Sequence, residues 1–218
     1  MIKLVAFDLD GTVADTLADL AASMNAALAM SGLPGYPKDA YRHFVGNGVD
    51  NLVRTAVAGA YTPALAAKVK ADFSAYYAAH TMDYTAAYPG IADLLARLST
   101  DGVMTAVISN KPDAYVPGIL HTLYPEHRFT CLSGQREGIP RKPAPDALLL
   151  LLEQLNVGRD QTLYVGDSDV DVAFAHAAGV KVCGVSWGFR GADELKASGA
   201  DYLADTVEEL TRRIYEQS

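Results

Sequence analysis

The feature that most constrains the fold is an alternation of short, continuous apolar runs with segments of helical periodicity. The runs have the length and composition of strands that are buried on both faces, as in a parallel sheet. They occupy residues 3–7, 104–109, 129–132, 162–165 and 181–185. Helical patterns occupy residues 91–98, 147–155 and 170–178. Strands that alternate with helices predict an α/β protein with a doubly wound parallel sheet.

One long segment departs from this alternation. Residues 17–82 contain three helical patterns and no strand pattern, which is more chain than a crossover between parallel strands requires. The apolar faces are Leu17, Leu20, Met24 and Leu28, then Leu52, Val53, Ala56 and Val57, then Leu65, Val69, Phe73 and Tyr76. We therefore predict an α/β core at 1–16 and 83–218, with an inserted all-helical cap at 17–82.

The charge balance limits the ligands and partners that we expect. The sequence has 18 Lys and Arg against 26 Asp and Glu, a net charge of -8. Such a surface repels nucleic acid and anionic lipid, so we expect neither a nucleic-acid partner nor a membrane. The longest apolar run, 147–152, is also far shorter than the roughly 18 residues of a membrane span. We expect a cytoplasmic protein that holds any anionic substrate with local cations.

Four polar stretches follow predicted strands, and ligands of doubly wound sheets bind at the carboxyl ends of strands. The stretches are 8–12 (DLDGT), 109–111 (SNK), 141–143 (RKP) and 166–171 (GDSDVD). Asp8 and Asp10 are two residues apart, so both carboxylates can reach one site. A carboxylate of ordinary pKa is ionised at neutral pH and can act as a nucleophile. The second could act as acid and base. An Asp-Gly pair also favours a hairpin, but a helical pattern follows this one.

The GDSDVD stretch adds Asp167 to these carboxylates. Clustered carboxylates repel one another unless a cation lies among them, and oxygen ligands suit Mg²⁺. The sequence leaves two roles open for Asp171: it either binds the metal or caps a helix. Ser168 and Asp171 have the spacing of a capping box at the start of the next helix.

Three uncharged or cationic groups complete the polar set. Ser109, Asn110 and Lys142 offer a hydroxyl, an amide and an ammonium group, which are groups that can bind phosphoryl oxygens. Each alone could equally belong to a turn or to the solvated surface. Their occurrence together with the carboxylates, in this order, favours phosphoryl chemistry.

The order of these stretches resembles the haloacid dehalogenase-like superfamily. DLDGT, a strand that ends in SN, a KP pair and GDSxxD follow one another along the whole chain, and a helical insert follows the first motif. Within the superfamily the chain is similar to the phosphoglycolate phosphatase branch. The segments that resemble it are 12–16, 41–53, 88–90, 109–112 and 166–179.

This resemblance implies a role for each motif residue. Asp8 would be the nucleophile that forms an aspartyl-phosphate, and Asp10 would be the acid and base. Mg²⁺ would be bound by Asp8, by Asp10 through its main-chain carbonyl, and by Asp167, with Asp171 behind these ligands or only capping its helix. The residues expected to bind the substrate or to place its loop are Thr12, Ser109, Asn110 and Lys142.

The resemblance also implies a substrate class, a small phosphorylated metabolite. The leading expectation is a phosphatase that hydrolyses 2-phosphoglycolate to glycolate. A pyrophosphatase or a nucleotidase on the same scaffold remains open. Phosphosugar mutases of the family have a histidine early in the cap, which residues 17–28 lack, and a non-catalytic binding protein would often lack a motif residue. The oligomeric state is left open.

Three features of the sequence leave further alternatives open. Pro117 and Gly118 fall in the helix expected after SNKP and predict a late start or a kink there. The segment 187–190 (WGFR) stands where Tyr-Gly-Tyr is more usual, in a loop expected near the site. The Gly46-Asn47-Gly48 segment of the cap either faces the active site, as the resemblance implies, or is only a turn between helices.

Overall fold

The computed structural model describes residues 1–216, which form eight strands and ten α-helices. The strands are β1 (Leu4–Phe7), β2 (Ala14–Asp15), β3 (Ala86–Ala87), β4 (Met104–Pro112), β5 (Cys131–Gln135), β6 (Thr162–Gly166), β7 (Lys181–Val185) and β8 (Tyr202–Ala204). The helices are α1 (Leu17–Ala29), α2 (Tyr41–Phe44), α3 (Val49–Val57), α4 (Pro63–Ala79), α5 (Ile91–Thr100), α6 (Val116–Leu123), α7 (Asp146–Leu155), α8 (Asp169–Ala177), α9 (Ala192–Ala197) and α10 (Val207–Glu216). Among these, no helix has the length and apolar character to cross a membrane.

Six strands form one parallel sheet in the order β5-β4-β1-β6-β7-β8. Strand β1 lies between β4 and β6, and every residue of β1 and β6 is buried. This confirms the doubly wound parallel sheet. The third predicted strand begins two residues later than expected, at Cys131. The short β8 was not indicated by the sequence pattern.

Helices cover both faces of the sheet, so alternate residues of one strand enter two different cores. Val5 and Phe7 of β1 pack in a cluster with side chains of α5, α6 and α10. Leu4 and Ala6 pack on the opposite face with side chains of α7, α8 and α9. Apolar burial on both faces explains why the strands are continuous apolar runs.

The helices α1 to α4 form a separate apolar cluster between β2 and β3. Along α4, Val69, Phe73 and Tyr77 are buried in this cluster. The prediction placed Tyr76 on this face, but Tyr76 is half-buried and stacks on His80. Residues 69, 73 and 77 are spaced four apart and therefore share one face of the helix. Tyr76 lies outside this face.

The chain leaves the core and returns to it through a two-stranded antiparallel ladder. Ala14 pairs with Ala87 and Asp15 with Ala86. The buried Asp19 carboxylate, in the first turn of α1, accepts hydrogen bonds from the main-chain N–H groups of Tyr84 and Thr85 and from the Thr85 hydroxyl. The segment that enters the cap and the segment that leaves it are therefore joined by hydrogen bonds. The domain limits 1–16, 17–82 and 83–218 stay a prediction, and residues 217 and 218 lie outside the described part.

The helix after β4 starts late, which decides between the two alternatives raised by Pro117. A short 3₁₀ turn occupies Asp113–Tyr115, and α6 begins at Val116 with Pro117 in its first turn. Proline is tolerated there because the first N–H groups of a helix have no intrahelical partner.

Candidate active site

The predicted site residues meet at the carboxyl ends of three neighbouring strands. Asp8 follows β1, Ser109 lies near the end of β4, and Asp167 follows β6. Lys142 reaches the same edge from the segment before α7. The parallel register aligns Phe7 with Val107 and Val165, so the residues beyond these positions come close together.

Lys142 provides the positive charge beside Asp8. Its buried ammonium lies 3.0 Å from Asp8 Oδ1 and 2.7 Å from Asp171 Oδ1, and it donates to the Tyr164 hydroxyl at 3.0 Å. Asp8 Oδ1 also accepts the main-chain N–H of Leu9 at 2.7 Å. These contacts fix the position of one Asp8 oxygen. Lys142 therefore lies at the acidic motifs, paired with both Asp8 and Asp171.

Three buried carboxylates surround this lysine. Asp8, Asp167 and Asp171 each present an oxygen within 4.8 Å of the others. Burial raises the pKa of Asp8 to about 6, against the opposing charge of Lys142. Burial, and then the charges of Asp171 and Asp8, raises the pKa of Asp167 well above its usual value. A carboxyl with a pKa of about 6 is still mostly ionised at neutral pH, as a nucleophile requires, and the excess negative charge favours a bound cation.

Asp171 caps its helix and also orients Lys142. Its Oδ2 accepts the Ser168 N–H at 3.1 Å, while Ser168 Oγ accepts the Asp171 N–H at 3.4 Å. This confirms the capping box. Asp171 Oδ1 accepts Lys142 and the Tyr164 hydroxyl. The Asp171 charge is thus already paired with the Lys142 ammonium, whereas Asp167 accepts from uncharged groups, which favours Asp167 over Asp171 as a direct metal ligand.

Thr12 contacts a carboxylate in this arrangement. It is fully buried, and its hydroxyl donates to Asp167 Oδ1 at 3.1 Å. Asp167 Oδ2 accepts the main-chain N–H of Phe189 at 2.7 Å. The two donors hold both oxygens of Asp167. The Thr12 hydroxyl therefore positions Asp167, and its expected role in binding the substrate or placing its loop stays a prediction.

Asn110 lines the cavity, and its side-chain amide is hydrogen-bonded to main-chain groups. Its Nδ2 donates to the carbonyls of Gly46 at 2.9 Å and Lys142 at 3.0 Å, and its Oδ1 accepts the Lys142 N–H at 2.8 Å. With both amide hydrogens engaged, Asn110 joins the cap to the Lys142 main chain, and its expected contact with the substrate stays a prediction. Ser109 lines the active-site cavity, and its hydroxyl accepts the Lys111 N–H at 3.3 Å.

Asp10 lies outside the cluster of Asp8, Asp167 and Asp171 and forms its ion pair with a different lysine, Lys111. Its Oδ1 accepts the Thr16 hydroxyl at 2.6 Å and Lys111 Nζ at 2.8 Å. The Lys111 side chain is only 2% exposed. Sequence reasoning assigned no role to Lys111. The available signal was its position two residues after Ser109, which places both side chains on the same face of the strand.

The Gly46-Asn47-Gly48 segment faces the active site, as the resemblance implied. Three consecutive main-chain carbonyls at this segment each accept a hydrogen bond from a core side chain. The pairs are Val45 with Arg190 at 2.9 Å, Gly46 with Asn110 at 2.9 Å, and Asn47 with Arg141 at 3.1 Å. We call these three hydrogen bonds the cap latch. They hold the cap over the carboxyl ends of the strands.

A cavity of about 200 Å³ lies between the cap and the core. The core contributes polar residues to its wall, among them Asp8, Asp10, Ser109 and Lys111. The cap contributes mainly apolar residues, among them Leu20, Val49, Leu52, Phe73 and Tyr77. The nucleophile candidate and the acid–base candidate therefore share one small cavity with an apolar roof.

The WGFR segment joins the acidic site to the cap. Trp187 Nε1 donates to the Thr12 carbonyl at 3.1 Å, and the Phe189 side chain is buried in the apolar cluster of the cap. Gly188 lies between them against Asp167, and its carbonyl accepts Arg42 of the cap at 3.1 Å. The segment therefore positions a carboxylate and binds the cap at the same time.

We expect Gly188→Ala to impair this arrangement, because a Cβ there would lie 2.2 Å from Asp167 Cβ and 2.5 Å from the Gly11 carbonyl. Asp167 or the Gly11 turn must move, and displacements of this size lower catalysis by roughly a hundredfold. The measurements are kcat/KM and the thermal midpoint. Gly118→Ala is the matched control, since its Cβ meets nothing within 4 Å. Wild-type values for Gly188→Ala would contradict the expected crowding.

Known proteins similar to this chain are hydrolases. The family model for haloacid dehalogenase-like hydrolases matches residues 5–185. The phosphoglycolate phosphatase of Pseudomonas putida is 37% identical over 213 residues, covering 95% of this chain and 78% of the relative. That of Vibrio parahaemolyticus is 34% identical, covering 96% and 94%.

Solved structures of other proteins share the fold of this chain. A candidate phosphoglycolate phosphatase from Lactobacillus delbrueckii subsp. bulgaricus has a TM-score of 0.93 at 34% identity, covering 97% of this chain and 98% of that one. CbbY from Rhodobacter sphaeroides, solved with xylulose-(1,5)bisphosphate, has a TM-score of 0.81 at 26% identity, covering 96% of each chain. With the family model matching most of its length, this chain belongs to the haloacid dehalogenase-like hydrolases.

Proposed function

We propose that the protein is a Mg²⁺-dependent phosphatase of small phosphate monoesters, with 2-phosphoglycolate as its substrate. The observation that supports this most is the Asp8 carboxylate 3.0 Å from the buried Lys142 ammonium, in a small cavity beneath the cap. A nucleophile and a fixed positive charge are what phosphoryl transfer to a protein group requires. The names of the relatives favour phosphoglycolate over the pyrophosphatase and nucleotidase alternatives.

The reaction proceeds in two displacements at phosphorus. An Asp8 oxygen bonds to phosphorus while the ester P–O bond breaks, and the leaving oxygen takes a proton from Asp10. Water then attacks the aspartyl-phosphate, loses a proton to Asp10 and releases phosphate and Asp8. Lys142 stabilises the negative charge on the phosphoryl oxygens in both steps. Lys142 is held for this task by Asp171 and Tyr164.

The residues present fit a divalent cation with oxygen ligands. Burial raises the pKa of both Asp8 and Asp167, and a cation among these carboxylates would relieve their repulsion. We propose Asp8 and Asp167 as side-chain ligands and the Asp10 main-chain carbonyl as a third. The Asp10 side chain is engaged with Lys111 and Thr16. When bound, Mg²⁺ supplies positive charge to the phosphoryl oxygens and keeps Asp8 ionised.

The size and closure of the cavity favour compact substrates. A volume of about 200 Å³ suits a small metabolite, and the cap latch closes the Gly46 side of the cavity. A phosphopeptide or a nucleic acid could not enter without opening the latch. We propose that the cap opens about the β2–β3 linkers to admit substrate and closes to exclude water. The cytoplasmic location stays a prediction.

A panel of substrates tests the proposed function. We expect kcat/KM for 2-phosphoglycolate to exceed that for glucose 6-phosphate, AMP and a phosphopeptide by about tenfold or more, because a closed cavity rejects larger esters. We expect the same preference over pyrophosphate, which is compact but has a second phosphate where 2-phosphoglycolate has a carboxylate. Steady-state assays in Mg²⁺ measure these ratios. The Asp8→Asn protein, purified identically, controls for contaminating phosphatases. Pyrophosphate or AMP as the best substrate would favour the corresponding alternative, and the phosphopeptide as the best would refute the closed-cap proposal.

A further inference from the structure

Two buried polar groups of the cavity wall take no direct part in the bond changes at phosphorus. Lys111 Nζ lies over the Tyr77 ring, 4.9 Å from its centroid, and both residues line the cavity. Tyr77 is 1% exposed, and its hydroxyl forms no hydrogen bond of normal geometry among the described residues, the Lys111 ammonium being the donor that lies near it. A buried hydroxyl without a partner costs about 1–3 kcal/mol, so such a group is normally retained for a ligand or a structural purpose.

We propose that Lys111 and the Tyr77 hydroxyl together bind the carboxylate of the substrate. This rests on the proposed function and deepens it, because it defines the substrate as a phosphate ester whose remaining part is a carboxylate. Lys111 offers N–H donors beyond those on Asp10, and Tyr77 offers an O–H donor from the cap. One carboxylate can accept both, one at each oxygen.

The charge of the cavity selects a carboxylate over a second phosphate. Among the described residues that line the cavity, Lys111 has the only cationic side chain. One ammonium and one hydroxyl match a single negative charge, whereas a phosphate carries roughly −1.5 to −2 charges and three acceptor oxygens. Sugar bisphosphates would therefore leave charge unpaired in a largely apolar cavity. Burial raises the pKa of the Tyr77 phenol, against the nearby Lys111 charge, so it remains a donor at neutral pH.

The same pair links substrate binding to the acid–base residue. Lys111 is held by Asp10 at 2.8 and 3.2 Å, and Asp10 also accepts the Thr16 hydroxyl. A substrate carboxylate replaces the Asp10 carboxylate on Lys111, so one ion pair is exchanged for another. Asp10 is then free to turn to the leaving oxygen. When an ester without a carboxylate binds, Lys111 stays paired with Asp10. Because Asp10 is then less available to the leaving oxygen, such an ester has a lower kcat as well as a lower affinity.

A pair of esters of similar size tests this inference. 2-Phosphoglycolate has a carboxylate where 2-hydroxyethyl phosphate has a neutral CH₂OH group. We expect the ratio of their kcat/KM values to fall about tenfold or more in Tyr77→Phe, and about a hundredfold in Lys111→Met, as for hydrogen bonds to charged groups. Tyr76→Phe, on the half-buried side of α4, is the control and keeps the wild-type ratio.

Binding to the inactive Asp8→Asn protein in Mg²⁺ gives a readout that is independent of turnover. We expect calorimetry to show that adding Tyr77→Phe weakens 2-phosphoglycolate binding about tenfold, with little change for 2-hydroxyethyl phosphate. Tyr77→Phe removes one oxygen and decides the question even if Lys111→Met does not fold.

The variants could instead lose the same factor in kcat/KM for both esters while the wild type still prefers 2-phosphoglycolate. That result would refute binding of the carboxylate by Lys111 and Tyr77 but would not contradict the proposed function. A wild-type enzyme that hydrolyses 2-phosphoglycolate no better than 4-nitrophenyl phosphate would refute 2-phosphoglycolate as the substrate in the proposed function.

Discussion

Asp8→Asn is expected to lower kcat for 2-phosphoglycolate by roughly four orders of magnitude or more, the scale on which nucleophile removal acts in other enzymes. The amide cannot form the acyl phosphate, yet its oxygen can still accept the Leu9 N–H and Lys142, which now bind Asp8 Oδ1. The fold should therefore remain. Steady-state kinetics and mass spectrometry of the quenched enzyme measure turnover and the phosphorylated intermediate.

A matched substitution separates this effect from a general loss of charge. Asp93 is exposed on α5, away from the cavity wall, and Asp93→Asn should keep wild-type kcat. Activity close to that of the wild type in correctly folded Asp8→Asn would refute the nucleophilic mechanism.

The same substitution should stabilise the cation-free protein in a pH-dependent way. The pKa of Asp8 is raised from 3.8 to about 6 by burial, so folding disfavours its ionised form. The contribution of Asp8 to wild-type stability in chelator therefore falls as pH rises from about 4 to 6 and is constant above. Asn cannot ionise, and Lys142 keeps Asp171 as a partner. The thermal midpoint of the variant should exceed that of the wild type by several degrees at pH 8 but not at pH 4. Parallel pH profiles would contradict this.

The sequence predicted the parts of the site that depend on local pattern. Asp8 and Asp167 directly follow strands that are continuous apolar runs, and parallel strands bring their carboxyl ends to one edge. The capping box at Ser168 involves only four consecutive residues. Such features need no knowledge of distant packing, which is why they are confirmed.

The partners of uncharged side chains could not be predicted in this way. The hydroxyl of Thr12 binds Asp167, which is 155 positions away, and the amide of Asn110 binds the cap at Gly46. A hydroxyl or an amide accepts many partners, and only the packed arrangement selects one. The sequence could therefore indicate that these groups belong to the site but not what they contact.

Lys111 and Tyr77 show a second limit. A lysine after a strand is usually solvated, and the burial of Lys111 depends on α4, which places Tyr77 beside it. Successive residues of a helix point about 100° apart around its axis. Whether Tyr76 or Tyr77 is buried therefore depends on how α4 is oriented about that axis. Periodicity alone did not resolve that rotation.

Removal of the divalent cation is the second change with a large expected effect. Excess chelator should lower kcat/KM by roughly a thousandfold or more, because the phosphoryl charge and the buried carboxylates then lack several kcal/mol of stabilisation. Added Mg²⁺ should restore activity. Full activity in excess chelator, or tightly bound zinc in the purified protein, would refute the proposed Mg²⁺ site.

Asp167→Asn should reproduce most of that loss by weakening the cation site itself. Thr12 and the Phe189 N–H hold the two Asp167 oxygens, so the side chain is fixed at the cluster and its charge acts there. Asp169→Asn is the control, since Asp169 is exposed two residues away. Calorimetric titration with Mg²⁺ gives a readout independent of activity. Since Asp8 and Asp167 must lose their protons to bind a cation, and the pKa of each is raised by burial, Mg²⁺ affinity should rise as the pH rises through about 6. Equal Mg²⁺ affinity in wild type and Asp167→Asn would place the cation elsewhere.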